Sequence, residues 1–471
     1  MSQSAPSQLT RRGRFLTPWT AAKIFWAVVV FYSLVHVGYS IWRYNVFAGG
    51  GGKDFWRVFG EAVAWKRTGY LAFESMLHPP FYYLLLAPLT DLGFERLIRL
   101  LYCVQFVYLF IGTVFLTKAI AATEKPSAME YLVVAVLTLN FQPFLETVAM
   151  YKVEGLEYAL IGLVFYAFRR HKDRLAGVLV FLAANLKYFP GILAGYFLLK
   201  REWKVVQGLL LAMGAYLLLL LPTFGLEGIW TYGVRYPLML LLAHQHESTR
   251  LEASMEFQTL TAAVNRWFVG SDGMLQHFRT QNYVPIPHLQ VAALIATLVK
   301  LTLVGLFVMW VRRSHPASER SQRWERLQGE LSLALLLIFA IASGSRVHYA
   351  ILVLPAFLST ALLLQRHWEQ FRWPEKSLFV IAYGLTAMII PGGLLNRLPP
   401  HPVWGTYYSF AYFWFSLPFY GYCLLALCIV VCLRRLQTAG ELQTARHTLV
   451  PGEIRLASNP GARIRLPLQE P

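Results

Sequence analysis

Long apolar runs recur from one end of this chain to the other, separated by short loops that collect the polar residues. The first covers about Ala22 to Arg43. Others cover Leu97–Thr117, Met129–Phe144, Gly155–Phe168, Val205–Pro222, Val291–Val311, Leu331–Ala342, Tyr349–Leu364, Ser377–Gly392 and Phe410–Leu433. At ~1.5 Å per residue, runs near 20 residues match the ~30 Å hydrocarbon core of a bilayer. Backbone in lipid must satisfy its own hydrogen bonds, and the short alternating strands of a barrel are not visible. The pattern therefore predicts an all-α, polytopic transmembrane bundle. Counting a short hairpin described next, about 12 crossings are expected, with both ends cytoplasmic. Residues 22–434 form the membrane domain, between a cytoplasmic segment at 1–21 and a basic, aperiodic tail at 435–471 that is expected to be disordered.

Three segments break this rhythm. Between the basic clusters Arg169–Arg174 and Lys200–Lys204 lie only about 25 residues, enough for two passes of about 13 residues, or ~20 Å each. The turn between those passes reads Asn185-Leu-Lys187-Tyr188-Phe-Pro190, and Pro190 accounts for the break. Lys187 then lies at membrane depth, where a charge costs about 2.5–3.5 kcal/mol at a helix centre. It calls for a partner, and it is either a lysine snorkelling to the interface or part of an anion site. A second short hairpin turns at Ser343-Gly-Ser345-Arg346-Val-His348-Tyr349. The third segment, Pro80–Leu92, is too short to cross, and topological parity keeps it external, as a re-entrant or juxtamembrane piece. Before it, Phe55–Ala72 is amphipathic and reads as a helix lying in the interface.

Composition supports the membrane reading. Of 471 residues, 56% are hydrophobic and 14% charged, against roughly 25% charged in soluble domains. The net charge of +18 sits in short loops rather than along one stripe, which points to anionic lipid headgroups and away from nucleic acid. Cys103, Cys423, Cys428 and Cys432 all lie in apolar segments, a placement that suits neither a disulfide framework nor a zinc site. His244 and His246 have metal-ligand spacing without a third and fourth ligand nearby, so no metal and no cofactor is expected. Arg11-Arg12-Gly-Arg14 precedes a run too long for a signal peptide, which predicts an uncleaved first helix.

The candidate chemistry lies in the loops. Four glycines, Gly49–Gly52, precede Lys53-Asp54-Phe-Trp in the first external loop. Asp54 is either a catalytic base at the membrane surface or a solvated loop acid. Topology brings Asp54, Lys187 and the pair Arg346 and His348 to the same side. A carboxylate near cations at the outer leaflet suits transfer of a sugar from a lipid phosphate to a hydroxyl. The carboxylate takes the hydroxyl proton, and the cations hold the departing phosphate. One carboxylate suffices, unlike the pair of a glycoside hydrolase, because phosphate leaves without an acid's help.

In order along the chain stand Asp54, His78-Pro79-Pro80-Phe, Ala87-Pro88-Leu89 and Glu95-Arg96-Leu. They are followed by Leu175 through Asn185-Leu-Lys187-Tyr-Phe-Pro190, Phe257-Gln258-Thr-Leu260 and Ser343 to Tyr349. This ordered set, over about Trp26 to Pro355, resembles the GT-C glycosyltransferases, and in particular the bacterial polyprenyl-phosphate-mannose-dependent transferases of glycosyltransferase family 87. The resemblance implies an inverting, metal-independent transfer from a polyprenyl-phosphate-linked sugar to a lipid or glycan acceptor. It implies a bacterial inner membrane location and an active site on the periplasmic side. It also implies that Asp54 is the base and that His348 lies near the donor phosphate; Lys187 and Arg346, brought to the same side by topology, are the other candidate phosphate-binding residues. His78, Glu154, Gln258 and Tyr349 are candidate substrate contacts. In place of a Gly-Gln-x-Asn run the chain carries Val153-Glu154-Gly155-Leu156-Glu157, whose acids either contact substrate or favour a helix N-terminus. A transporter or flippase of lipid-linked glycans is the alternative; it would predict an internal repeat and charges paired along a pathway.

Overall fold

The structure, a computed structural model, describes residues 18–47, 53–69, 78–149, 153–235, 257–280, 285–313, 324–342, 346–388, 395–403, 405–406, 408–448, 454–455 and 463–464. Apart from a two-residue strand pair, Ile454–Arg455 with Arg463–Ile464, the regular structure is helical. Helix α1 (Pro18–Phe47) is followed by α2 (Lys53–Thr68) and α3 (Pro80–Leu86), which runs into a 3-10 turn at Ala87–Leu92. Then come α4 (Phe94–Ile120), α5 (Ala128–Leu139), α6 (Gln142–Ala149) and α7 (Glu154–Arg169). Next are α8 (Asp173–Leu186), α9 (Ile192–Leu199) and α10 (Trp203–Gly228), which leads into a π-helical turn at Ile229–Arg235. The second half holds α11 (Leu260–Trp267), α12 (Ser271–Thr280), α13 (Leu289–Arg313) and α14 (Trp324–Ile341). A 3-10 turn at Val347–Val353 opens α15 (Leu354–Arg366), and α16 (Trp373–Ala387), α17 (Tyr408–Trp414) and α18 (Leu417–Thr448) follow.

Among the described residues, five helical segments are long and apolar enough to cross a bilayer: Phe94–Ile120, Trp203–Pro222, Leu289–Arg313, His348–Arg366 and Leu417–Thr438. The α5–α6 pair makes a sixth if a helix bent by 70° counts as one span. This is fewer than the 12 crossings expected. Shorter apolar runs make shorter helices. With 16 residues, α7 reaches only ~24 Å, and 11 of the 16 are buried in protein. The run Met129–Phe144, read as one helix, is broken instead. Pro143 has no N–H to give and its ring would clash with the carbonyl of Leu139, so α5 stops there. Asn140 sits at the bend and donates to Val136 O at 2.9 Å and to Ser33 Oγ of α1 at 2.6 Å. Other boundaries also move. Helix α14 begins at Trp324, seven residues ahead of the expected apolar run; its first turns bury Trp324 and Glu330 and carry the Arg326–Glu330 and Arg366–Glu325 ion pairs. Helix α18 continues past Arg434 to Thr448, and Arg435 is ion-paired to Glu375.

Small residues set the closest helix approaches. A Cβ on Gly162 of α7 would lie 2.6 Å from Gly112 O of α4, and one on Gly112 would meet the Tyr158 ring at the same distance. Such contact lets the two backbones touch. The hairpin of α8 and α9 brings the chain back to the end where α8 starts, so α10 rises beside α8. There, a Cβ on Gly208 would lie 2.0 Å from Arg174 O, and one on Gly177 would lie 1.9 Å from Val205 O.

At this end of the bundle the last carbonyls of α4 have no helical partner. Arg169 Nη1 donates to Lys118 O, Ala119 O and Ala121 O at 3.0, 2.7 and 2.8 Å, Trp324 Nε1 donates to Ala119 O at 2.7 Å, and Arg366 donates to Ile120 O. Four helices, α4, α7, α14 and α15, are tied together there. Two lysine- and arginine-bearing elements meet beside them, with Lys200 Nζ 2.9 Å and Arg326 Nε 3.2 Å from the buried Glu330 carboxylate. At the opposite end α2, α3 and the start of α4 form a separate small core of Phe55, Val58, Ala62, Trp65, Tyr83 and Leu97.

The close approach of α4 and α7 is testable. Gly162→Val should destabilise the protein in detergent by at least the ~1–3 kcal/mol of ordinary overpacking. Gly195→Ala, on an open helix surface, should gain about 0.5–1 kcal/mol. Thermal midpoints that move together in both variants would contradict this packing.

Candidate active site

The end of the bundle opposite the arginine-capped carbonyls holds a charged cluster, and its geometry begins with a proline. Pro190 has no N–H to offer the carbonyl four residues earlier, that of Leu186. Helix α8 therefore ends at Leu186, and Lys187 leaves the helix in an extended conformation (φ −153°, ψ 145°). A 3-10 turn at Phe189–Gly191 then starts the return. The Leu186 carbonyl so released faces His78, whose Nδ1 lies 3.4 Å away, a long contact. The His78 ring packs on Tyr82 of α3 at 4.7 Å.

Lys187 has the partner its depth demands. Its ammonium is ion-paired and hydrogen-bonded to Glu154, fully buried in the first turn of α7, 33 residues back along the chain. The same Glu154 oxygen lies 3.5 Å from His348 Nε2. The Tyr349 ring sits under the Lys187 ammonium at 3.7 Å, in cation–π geometry. The ion pair to Glu154 and the Tyr349 ring offset the cost of burying the ammonium.

Glu157 lies one turn further along α7, fully buried. Both of its carboxyl oxygens are without a hydrogen-bond partner among the described residues. Gly155, between the two acids, lies against Gln105 of α4: a Cβ there would fall 2.0 Å from Gln105 Oε1. Of the two readings left open for the acids, Glu154 makes a side-chain contact with a cation, and no side-chain cap is formed at Val153. Both acids still stand in the first turn, where the helix dipole favours negative charge.

The structure thus brings Lys187, Glu154, His348 and Tyr349 together and sets His78 beside them. Arg346 lies two residues from His348, and its backbone pairs with Phe257 in an antiparallel bridge. Gln258, next to Phe257, is fully buried, and its amide donates to Phe413 O at 2.9 Å, tying the start of α11 to α17. Asp54 stands in the first turn of α2; its side chain lies outside the described residues, as do residues 343–345 and the His244–His246 pair. The helix carrying Asp54 is nonetheless tied to the cluster, because Tyr188, next to Lys187, packs against the α2–α3 core. Tyr83 of that core donates to Glu61 at 2.5 Å. Tyr82, Gln105 and Tyr188 were not singled out from the sequence. Gln105, a lone amide within an apolar run, was the one signal available. Among the described residues no three His, Cys, Asp or Glu side chains gather to hold a metal ion.

Fold and cluster together define a helical integral membrane protein with paired charges buried at one end of its bundle. More narrowly, the chain belongs to glycosyltransferase family 87, whose sequence profile matches residues 76–344, more than half its length. It is thus a glycosyltransferase. The matched span contains His78, Glu154, Lys187 and Gln258, begins after Asp54 and ends just before Arg346. No curated protein and no solved structure matches the chain.

The ion pair gives a direct prediction. Lys187→Met alone strands a buried carboxylate and should cost about 3–5 kcal/mol of stability, whereas Lys187→Met with Glu154→Gln should recover most of that loss. Unfolding midpoints in detergent would measure both. A double variant no more stable than the single would show that the two side chains do not depend on each other.

Proposed function

We propose that this glycosyltransferase moves a hexose, with mannose the expected sugar, from a polyprenyl-phosphate donor to a hydroxyl of an envelope glycolipid or glycan. The reaction inverts the anomeric centre. Asp54 is the general base, and the site opens on the periplasmic side of a bacterial inner membrane, with both termini in the cytoplasm. The observation that carries this reading is the buried Lys187–Glu154–His348 group at the end of the bundle that α2 reaches. Membership of the family supplies the sugar-transfer chemistry.

The acceptor oxygen attacks the anomeric carbon from the face opposite the phosphate. The carbon–oxygen bond to phosphate breaks, and its electron pair leaves with the lipid phosphate. The acceptor proton passes to the Asp54 carboxylate. Negative charge grows on the phosphate oxygens, where Lys187 and His348 oppose it; a fixed cation stabilises such charge without reorganising. Glu154 holds the lysine in place, and Tyr349 supports its underside.

Purified full-length protein given a panel of labelled polyprenyl-phosphate sugars tests this. Asp54→Asn should lose the ~10²–10⁴-fold that a general base contributes, with expression and detergent behaviour unchanged. His348→Ala should raise the apparent KM for the donor, and so should the paired Lys187→Met, Glu154→Gln variant. Full activity in Asp54→Asn would end the mechanism. Unchanged donor affinity in both other variants would remove those residues from the phosphate site.

A further inference from the structure

A cavity of about 440 Å³ lies between α11, α12 and the start of α18, and none of the Lys187 cluster lines it. Its floor is a guanidinium. Arg266 is 5% exposed, and its Nε and Nη2 donate to Ser416 Oγ at 3.1 and 2.7 Å, while Nη2 also donates to Phe257 O at 3.0 Å. Ser416 is held in the left-handed region, at φ 58°, a strained conformation for a non-glycine residue that the arginine's two hydrogen bonds to its hydroxyl help to fix.

Two helix N-termini open on the same space. Gly270 and Ser271 bring in the start of α12, and Ser416 and Leu417 the start of α18. Each helix start contributes roughly half a positive charge. Asp272, in the first turn of α12, is not among the lining residues. The walls are aromatic: Trp414 is buried, Trp267 and Phe415 are 62% and 45% exposed, and Trp267 Nε1 donates to Tyr420 OH at 3.0 Å. An amphipathic ring with an apolar body and a polar edge suits the level of lipid headgroups.

We propose that this cavity is a second ligand site, for the phosphate of a membrane lipid. The phosphate sits on Arg266 between the two helix ends, and the acyl chains run out past Trp267 and Phe415. The inference stands on this geometry and does not need the reaction proposed above. It also has a path to the other site, because the Phe257 carbonyl that Arg266 holds belongs to the residue bridged to Arg346, two residues before His348.

Gly270 provides the test, since a side chain there meets nothing within 4 Å. Full-length protein in detergent is titrated calorimetrically with dihexanoyl phosphatidylglycerol, with uncharged dihexanoylglycerol and with inorganic phosphate. The phosphatidylglycerol should bind saturably, at least tenfold more tightly than either control. Gly270→Asp should weaken it at least tenfold and Gly270→Asn less than twofold, at equal melting temperatures. Binding should survive in the Lys187→Met, Glu154→Gln variant, which separates this site from the donor cluster. Trp267→Ala, at an exposed wall, should weaken binding at least fivefold and replaces Gly270→Asp if that variant misfolds. Absence of saturable binding, indifference to the cavity variants, or loss only in the Lys187 pair would overturn the proposal. Inorganic phosphate binding as tightly as the lipid would make this a free-phosphate site and refute its lipid ligand.

Discussion

A charge inside a helical bundle cannot be left alone, and the pair Lys187–Glu154 is this chain's answer at one end of its fold. Stranding either partner leaves a buried ion whose desolvation penalty is several kcal/mol. The pair therefore fixes where the α8–α9 turn lies relative to the start of α7. From there the constraints propagate. Helix α7 is pressed on α4 at Gly112 and Gly162, and α4 carries the α2–α3 core at its other flank. His348 and Tyr349 meet the same two residues from the opposite side, so three separate stretches of chain converge on one carboxylate and one ammonium.

The opposite end solves the same problem with backbone rather than with a paired acid alone. Carbonyls that end α4 are as costly to bury unsatisfied as an amide without a partner. Arg169, Arg366 and Trp324 come from three other helices to satisfy them. The Lys187 end instead keeps an acid, Glu157, without a hydrogen-bond partner among the described residues, and a long His78 contact.

Much of this was legible in the sequence, for reasons that differ by element. The membrane bundle was visible because apolar runs are a composition signal. The α8–α9 turn was visible because proline acts locally, four residues back along its own helix. That Lys187 needed a partner followed from its depth. That the partner is Glu154 did not follow, since ion pairing across 33 residues is a tertiary fact. The bend at Asn140 was missed although Pro143 marks it, because the apolar run continues through the break. That the Gln258 amide donates to Phe413, a residue 155 positions away, is likewise a tertiary fact that the sequence does not carry. Hydropathy alone also cannot tell lipid from a protein interior: α7 is apolar, and 11 of its 16 residues are buried against neighbouring helices.

The charge balance of the cluster bears on how a phosphate would be received under the proposed function. An ammonium carries three donors. One is directed at Glu154, and the Tyr349 ring covers another side of Lys187 at 3.7 Å, so a single direction is left toward an incoming oxygen. A phosphate arriving there joins a lysine whose charge is already half-neutralised by a neighbour, which favours release of the spent carrier over tight retention. His348, at 3.5 Å from the same carboxylate, is the second group in position to answer the charge that grows as the bond to phosphate breaks. Under the proposed function Glu154 then acts as a moderator: it keeps the lysine aimed, and it limits how strongly the site holds the phosphate once the sugar has gone.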